Sequence, residues 1–115
     1  MKNNLFEHIP AELPEEYFET LQESGGVKIE RIVSRGHTTP IGEWYDQSWD
    51  EWVVLLSGSA VLEFEEGWDP VLLRPGDYIM LPAGLRHRVS RTDRNADSVW
   101  LAVHFNPYVQ NKGCR

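Results

Sequence analysis

The chain has one cysteine, Cys114, placed beside the C-terminal Arg115. It has no partner for an internal disulfide, so a disulfide-stapled scaffold is excluded. No apolar run approaches the ~18 residues that read as a membrane-spanning helix. The opening Met1-Lys2-Asn3-Asn4-Leu5-Phe6-Glu7-His8 lacks a continuous apolar signal region, and the expected compartment is the cytoplasm. Basic charge is also scarce: 11 Lys and Arg stand against 18 Asp and Glu, a net charge of −7. Such a chain repels phosphate backbones, so nucleic acid is not an expected partner, and neither is a membrane. There is no internal repeat and no low-complexity tract.

What is present is enough for one domain. At 115 residues and 41% hydrophobic content the chain can bury a real core. Residues 1–26 read as an N-terminal extension. Leu13-Pro14-Glu15-Glu16 looks like a helix start, Tyr17, Phe18 and Leu21 give an apolar face, and Ser24-Gly25-Gly26 looks like a stop. A short helix is therefore expected there. Residues 27–115 read as an all-β domain. Val27 to Ser34 is rich in β-branched residues, and Trp52 to Leu56 is a continuous apolar run, expected to be a strand buried on both faces. Further strands are expected at Ala60–Glu65, Val71–Leu73, Tyr78–Leu81, from His87 to Arg91, and Ser98–Phe105. Turn signals separate them, as in a sandwich or barrel.

The most informative segment runs from Gly76 to His87. Its skeleton is G-x5-P-x-G-x2-H. Pro82 cannot donate to a ladder and must end a strand, and Gly84 lets the chain turn a corner. The corner aims His87 in a fixed direction, which suits a metal ligand or an acid/base group.

This spacing resembles the second signature motif of the cupin superfamily, G-x5-P-x-G-x2-H-x3-N, with Arg91 in place of the final Asn. Glu51 to Gly58 supplies the E-x6-G part of the first motif, while Tyr45 and Gln47 stand where its two histidines would fall. The resemblance covers about residues 27–106. It implies a cupin-type double-stranded β-helix, or jelly-roll barrel. Carried over position by position, it places Tyr45, Gln47, Glu51 and His87 at the lumen site. Gln47, Glu51 and His87 are the candidate ligands of a divalent ion (Mn, Fe, Zn or Ni). Tyr45 and His104 are the candidate catalytic groups. Small cupins also pair, and a homodimer is expected.

Each residue has a plainer reading. Gln47 can hydrogen-bond a loop, Tyr45 can simply pack its ring, and His104 can be a strand-end histidine bonded to backbone. Glu51 precedes an apolar run and needs a cation or a donor. If His87, Val89 and Arg91 share a face, Arg91 is the candidate partner. Two functional readings stay open: a metal-dependent oxygenase, isomerase or lyase acting on a small organic compound, and a metal-free barrel that binds or senses a small molecule.

Overall fold

A computed structural model describes residues 1–106; Cys114 lies outside them. Eight strands form two antiparallel sheets: β1 (Tyr17–Ser24), β2 (Val27–Ser34), β3 (Asp50–Ser57), β4 (Ala60–Phe64), β5 (Val71–Leu73), β6 (Tyr78–Leu81), β7 (His87–Thr92) and β8 (Ser98–Phe105). The larger sheet has the order β1-β2-β8-β3-β6 and the smaller β5-β4-β7. No α-helix occurs among the described residues.

Period-two patterning places the core. Ile32, Val53, Leu55, Leu81, Trp100 and Ala102 of the larger sheet meet Ala60, Leu62, Phe64 and Leu73 of the smaller one. β3 departs from the expectation of burial on both faces: Glu51, Val53 and Leu55 are buried, whereas Trp52, Val54 and Leu56 are only half-buried. Its outward side chains lie on the outer face of the sheet, which is covered over β2, where Arg31 and Val33 are buried, but less so over β3 and β6.

The expected N-terminal helix is a strand. β1 pairs antiparallel with β2, from Tyr17 opposite Val33 to Ser24 opposite Val27, with one bulge at Leu21. Gly25 and Gly26 both have positive φ, 57° and 81°. That pair of angles makes a two-residue hairpin turn of the primed type, which two glycines satisfy without strain. The Gly-Gly signal therefore closes a hairpin and does not cap a helix. Tyr17 and Thr20 also favour a pleated surface.

Residues 1–16 form an irregular strap, tied to the sheet by side chains that donate to its carbonyls. Arg31 donates to Leu5 O at 3.0 Å and Glu7 O at 2.7 Å. Arg35 donates to Ala11 O at 2.9 Å. His37 accepts from Arg35 N at Nδ1, so its Nε2 donates to Leu13 O at 3.0 Å. His37 is thus a half-buried strap anchor.

Candidate functional site

The Pro82–Gly84 corner is fixed by two hydrogen bonds to the segment that enters β3. Gly84 N donates to Gln47 O at 2.8 Å, and Ala83 N donates to Asp50 Oδ1 at 2.8 Å. Three residues later His87 exchanges backbone hydrogen bonds with Tyr45, 2.7 Å and 3.1 Å. The loop bearing Tyr45 and Gln47 and the strand bearing His87 are therefore stitched together. Their side chains share one side, and the Tyr45 and His87 rings stack with centroids 5.5 Å apart.

These residues open into a lumen cavity of about 60 Å³ between the two sheets. Tyr45, Gln47, Glu51, His87 and His104, the five residues singled out in the sequence, all line it. Glu51 and His87 are buried, 6% and 5% exposed. The His87 Nδ1 lies 3.0 Å from Leu85 O and must donate to it, so Nε2 is turned into the lumen with its lone pair when the ring is neutral. Glu51 Oε1 is 3.9 Å from that Nε2. This is beyond hydrogen-bonding distance, so both atoms keep capacity for a third group.

Arg91 is not the partner of Glu51. It is exposed, and β7 bulges next to it: Val61 faces Arg91 while Leu62 faces Val89, which leaves Ser90 unpaired. The extra residue shifts the phase of the strand, so His87 and Val89 face the lumen and Arg91 does not. His104 does face the lumen. It binds no backbone carbonyl there, and its Nε2 is 3.2 Å from Glu30 Oε1.

Two lumen carboxyls were missed in the sequence. Glu30 is 8% exposed and lies in phase with Ile32 and Ser34 on the inner face of β2. Its signal was the period-two pattern of Val27–Ser34, which puts one acid on the apolar side. Glu16, from the strap, also lines the cavity. Ser34 Oγ donates to Glu16 Oε2 and accepts from Trp100 Nε1 at 3.2 Å, so the carboxyl is seated on a buried chain of hydrogen bonds. Reading residues 14–24 as a helix hid Glu16.

Burial raises the pKa of Glu51, with His104 and His87 pulling it back and Glu30 adding to the rise. Burial likewise raises Glu16, against the hydrogen bond from Ser34. The Tyr45 phenol is raised by burial and by Glu16. Lumen carboxyls that resist ionisation are suited to hold a proton or to meet a cation.

Among the described residues no three His, Cys, Asp or Glu side chains gather as a metal-binding group. Glu51, His87 and Gln47 supply one carboxylate, one imidazole and one amide oxygen at the same cavity, a set that fits a hard divalent ion. The Leu85 carbonyl behind His87 is the outer contact that ligating histidines commonly have.

Comparison with known proteins agrees with this architecture. No curated protein sequence matches the chain. A crystal structure from Ralstonia eutropha JMP134, provisionally assigned as a mannose-6-phosphate isomerase, is similar with 48% identity and a TM-score of 0.87, covering 92% of this chain and 98% of that one. A protein from Thermus thermophilus is similar with 19% identity and a TM-score of 0.73, covering 90% and 95%. An RmlC-like cupin from Methanocaldococcus jannaschii with a double-stranded β-helix fold is similar with 18% identity and a TM-score of 0.67, covering 90% and 92%. The profile of the cupin domain matches residues 33–104, and with the two-sheet barrel and its corner-borne histidine this places the chain in the cupin superfamily as a single small cupin domain.

Proposed function

We propose that the lumen binds a small organic molecule and that Glu51 and His87 move a proton on it. The observation that carries this reading is the pair itself: a buried carboxyl with a raised pKa faces an imidazole of fixed tautomer at 3.9 Å across a cavity. Burial holds the Glu51 carboxyl toward its protonated form, and the His87 ring turns Nε2 toward it, an arrangement suited to general acid–base work next to a carbonyl. Tyr45, stacked on His87, and His104, bonded to Glu30, are the proposed accessory groups. The R. eutropha protein's assignment as an isomerase is in keeping with such a pair.

A second reading follows from the Leu85 contact of His87. Glu51, His87 and Gln47 would hold a divalent ion, which would polarise a bound oxygen. Without catalysis, the same lumen serves a binding or sensing barrel.

Two measurements decide among these. In the first, carbon-bound hydrogen exchange of dihydroxyacetone is followed in D₂O by NMR. The wild type should accelerate it, and His87→Ala should lower the gain about 10²-fold or more. No exchange above the buffer rate in the wild type would sink the proton-transfer reading. In the second, elemental analysis of untagged protein is paired with melts of Glu51→Gln. A protein carrying stoichiometric metal should lose it in His87→Ala and melt lower in Glu51→Gln.

A metal-free protein should behave oppositely, and the sign follows from the raised pKa. Between the ordinary carboxylate value of 4.5 and the higher folded value, the folded state holds a proton that the unfolded state has released. Wild-type stability therefore falls as pH rises through that window. Glu51→Gln removes this loss, so its advantage over wild type should be larger at pH 8 than at pH 5.

We also propose that the outer face of the larger sheet pairs two copies of the chain. Trp52, Val54, Leu101 and Val103 are half-buried there, Tyr78 is 67% exposed and Met80 44% exposed. A monomer seldom leaves so continuous an apolar face in water. Light scattering should give twice 13.3 kDa at micromolar concentration, and a mass of one chain would refute it.

A further inference from the structure

We infer that the lumen selects a small ligand bearing an ammonium group and rejects phosphorylated and carboxylated compounds. This deepens the proposed function and rests on its reading of the lumen as the binding site.

The first support is the lining. Glu16, Glu30 and Glu51 enter the cavity from three separate segments, the strap, β2 and β3. Among the described residues that line it there is no Lys and no Arg. The three carboxyls are close enough to act on one another: Glu30 pushes up both Glu16 and Glu51. A phosphomonoester would bring two further negative charges into this field with no guanidinium or ammonium to receive them.

The second support is independent of charge count. Glu51 is more than nine-tenths buried, lines the cavity and makes no hydrogen bond among the described residues; His87 stands 3.9 Å away, and His104, opposite it on β8, acts on its charge as well. A buried carboxyl left without a donor is costly, and a ligand N–H would supply what the fold does not.

The third is the wall. Phe18, Tyr45 and Trp100 line the same cavity, and aromatic rings beside carboxylates are what an organic cation requires. The neighbouring mouth, lined by Glu23, Glu30, Asp46 and Trp49, holds Lys28 and His104 as its basic residues, and Lys28 lies 3.7 Å from Glu30. Glu30 is thus engaged by Lys28 and His104, and Glu51 faces His87. Glu16 has only the Ser34 hydroxyl and the more distant His37. It is the carboxylate most available to a cationic ligand, and the strap delivers it.

This sets the chain's ligand apart from the hexose phosphate named for the R. eutropha protein. The cavity of about 60 Å³ takes a group of a few heavy atoms, with the rest of the ligand lying in the mouth.

The test compares three probes of nearly equal size by calorimetric titration and by tryptophan fluorescence: ethanolamine, ethylene glycol and glycolate. Mannose and mannose 6-phosphate form a second, larger pair. Ethanolamine should bind about ten-fold tighter than ethylene glycol, and glycolate should not bind. Mannose 6-phosphate should bind more weakly than mannose. Glu16→Gln should remove most of the ethanolamine preference and leave ethylene glycol unchanged. Its amide still reaches Ser34, so the strap keeps its seat, and an unchanged melting temperature confirms this. Glycolate or mannose 6-phosphate binding as tightly as the uncharged probe, and lost in His87→Ala, would overturn the charge inference while leaving the lumen as the site. An ethanolamine preference that survives both Glu16→Gln and Glu51→Gln would overturn it too. If no probe binds, the lumen reading falls and the inference falls with it.

Discussion

Gly58→Ala is expected to destabilise the fold by about 2–5 kcal/mol, enough to unfold a marginal domain at physiological temperature. Two costs add. Gly58 has φ +80°, a left-handed conformation that costs any L-residue roughly 1–2 kcal/mol. A methyl group there would also meet the Ser98 backbone Cα at 2.6 Å and Asp97 O at 2.9 Å. Both are backbone atoms and cannot rotate aside, so β8 would have to shift, at about 1–3 kcal/mol for overpacking. Ser98 is fully buried and its hydroxyl donates to Ser59 O at 3.0 Å, so the shift would also loosen the turn between β3 and β4. Gly84 is the control. Its φ is +81°, yet nothing lies within 4 Å of where an added methyl would sit, so Gly84→Ala should cost only the backbone share, about 1–2 kcal/mol. Chemical denaturation of both variants checks the pair. Equal losses would show that the approach of β8 to Gly58 is not what requires glycine there.

Gly58 ends the E-x6-G stretch, and Gly84 sits in the G-x5-P-x-G-x2-H corner, so both motifs were legible for a physical reason. A positive φ or a missing N–H leaves a mark in a single residue type. The strand from Tyr78 to Leu81 and the one from Ser98 to Phe105 were legible in the same way, from the turn residues that bound them. The lumen set of Tyr45, Gln47, Glu51 and His87 came from the resemblance, and the structure brings these side chains to one cavity. What escaped depends on pairing. Gly25-Gly26 serves a helix end or a hairpin equally well until the partner strand is known, and the choice hid Glu16. Arg91 was set two residues beyond Val89, and only the ladder to β4 reveals the bulge at Ser90. Trp52 to Leu56 is apolar on both sides because the outer sheet face is apolar too, and sequence alone cannot say which apolar face has a cover.

The last expectation concerns the strap. Arg31→Leu should destabilise the protein by about 2–4 kcal/mol and release residues 1–16 before the barrel unfolds. Arg31 is 4% exposed, and its guanidinium serves Leu5 O, Glu7 O and Glu19 Oε1, the last two at 2.7 Å. The Glu19 side chain is 38% exposed as a whole, but the Oε1 that meets Arg31 is buried, so the ion pair adds to the loss. The carbonyl bonds add to it: Nη1 donates to two strap carbonyls at once, while Nη2 faces Glu19 and His8 O, a division of the planar guanidinium that a lysine cannot reproduce. Nη2 also reaches His8 O at 3.4 Å, where the strap turns with His8 at φ 56°, a left-handed conformation that histidine adopts more readily than most non-glycine residues. Arg31→Lys keeps the charge but not the fork, and should recover less than half of the loss. Limited proteolysis reports the strap directly: cleavage within residues 1–16 should accelerate in Arg31→Leu under conditions where the barrel stays intact. Because the strap carries Glu16, the freed form should also lose its preference for an ammonium probe without losing His87 or Glu51 from the lumen. A variant that melts within about 0.5 kcal/mol of wild type, with unchanged cleavage, would show that the strap is held by Arg35, His37 and Ser34 alone.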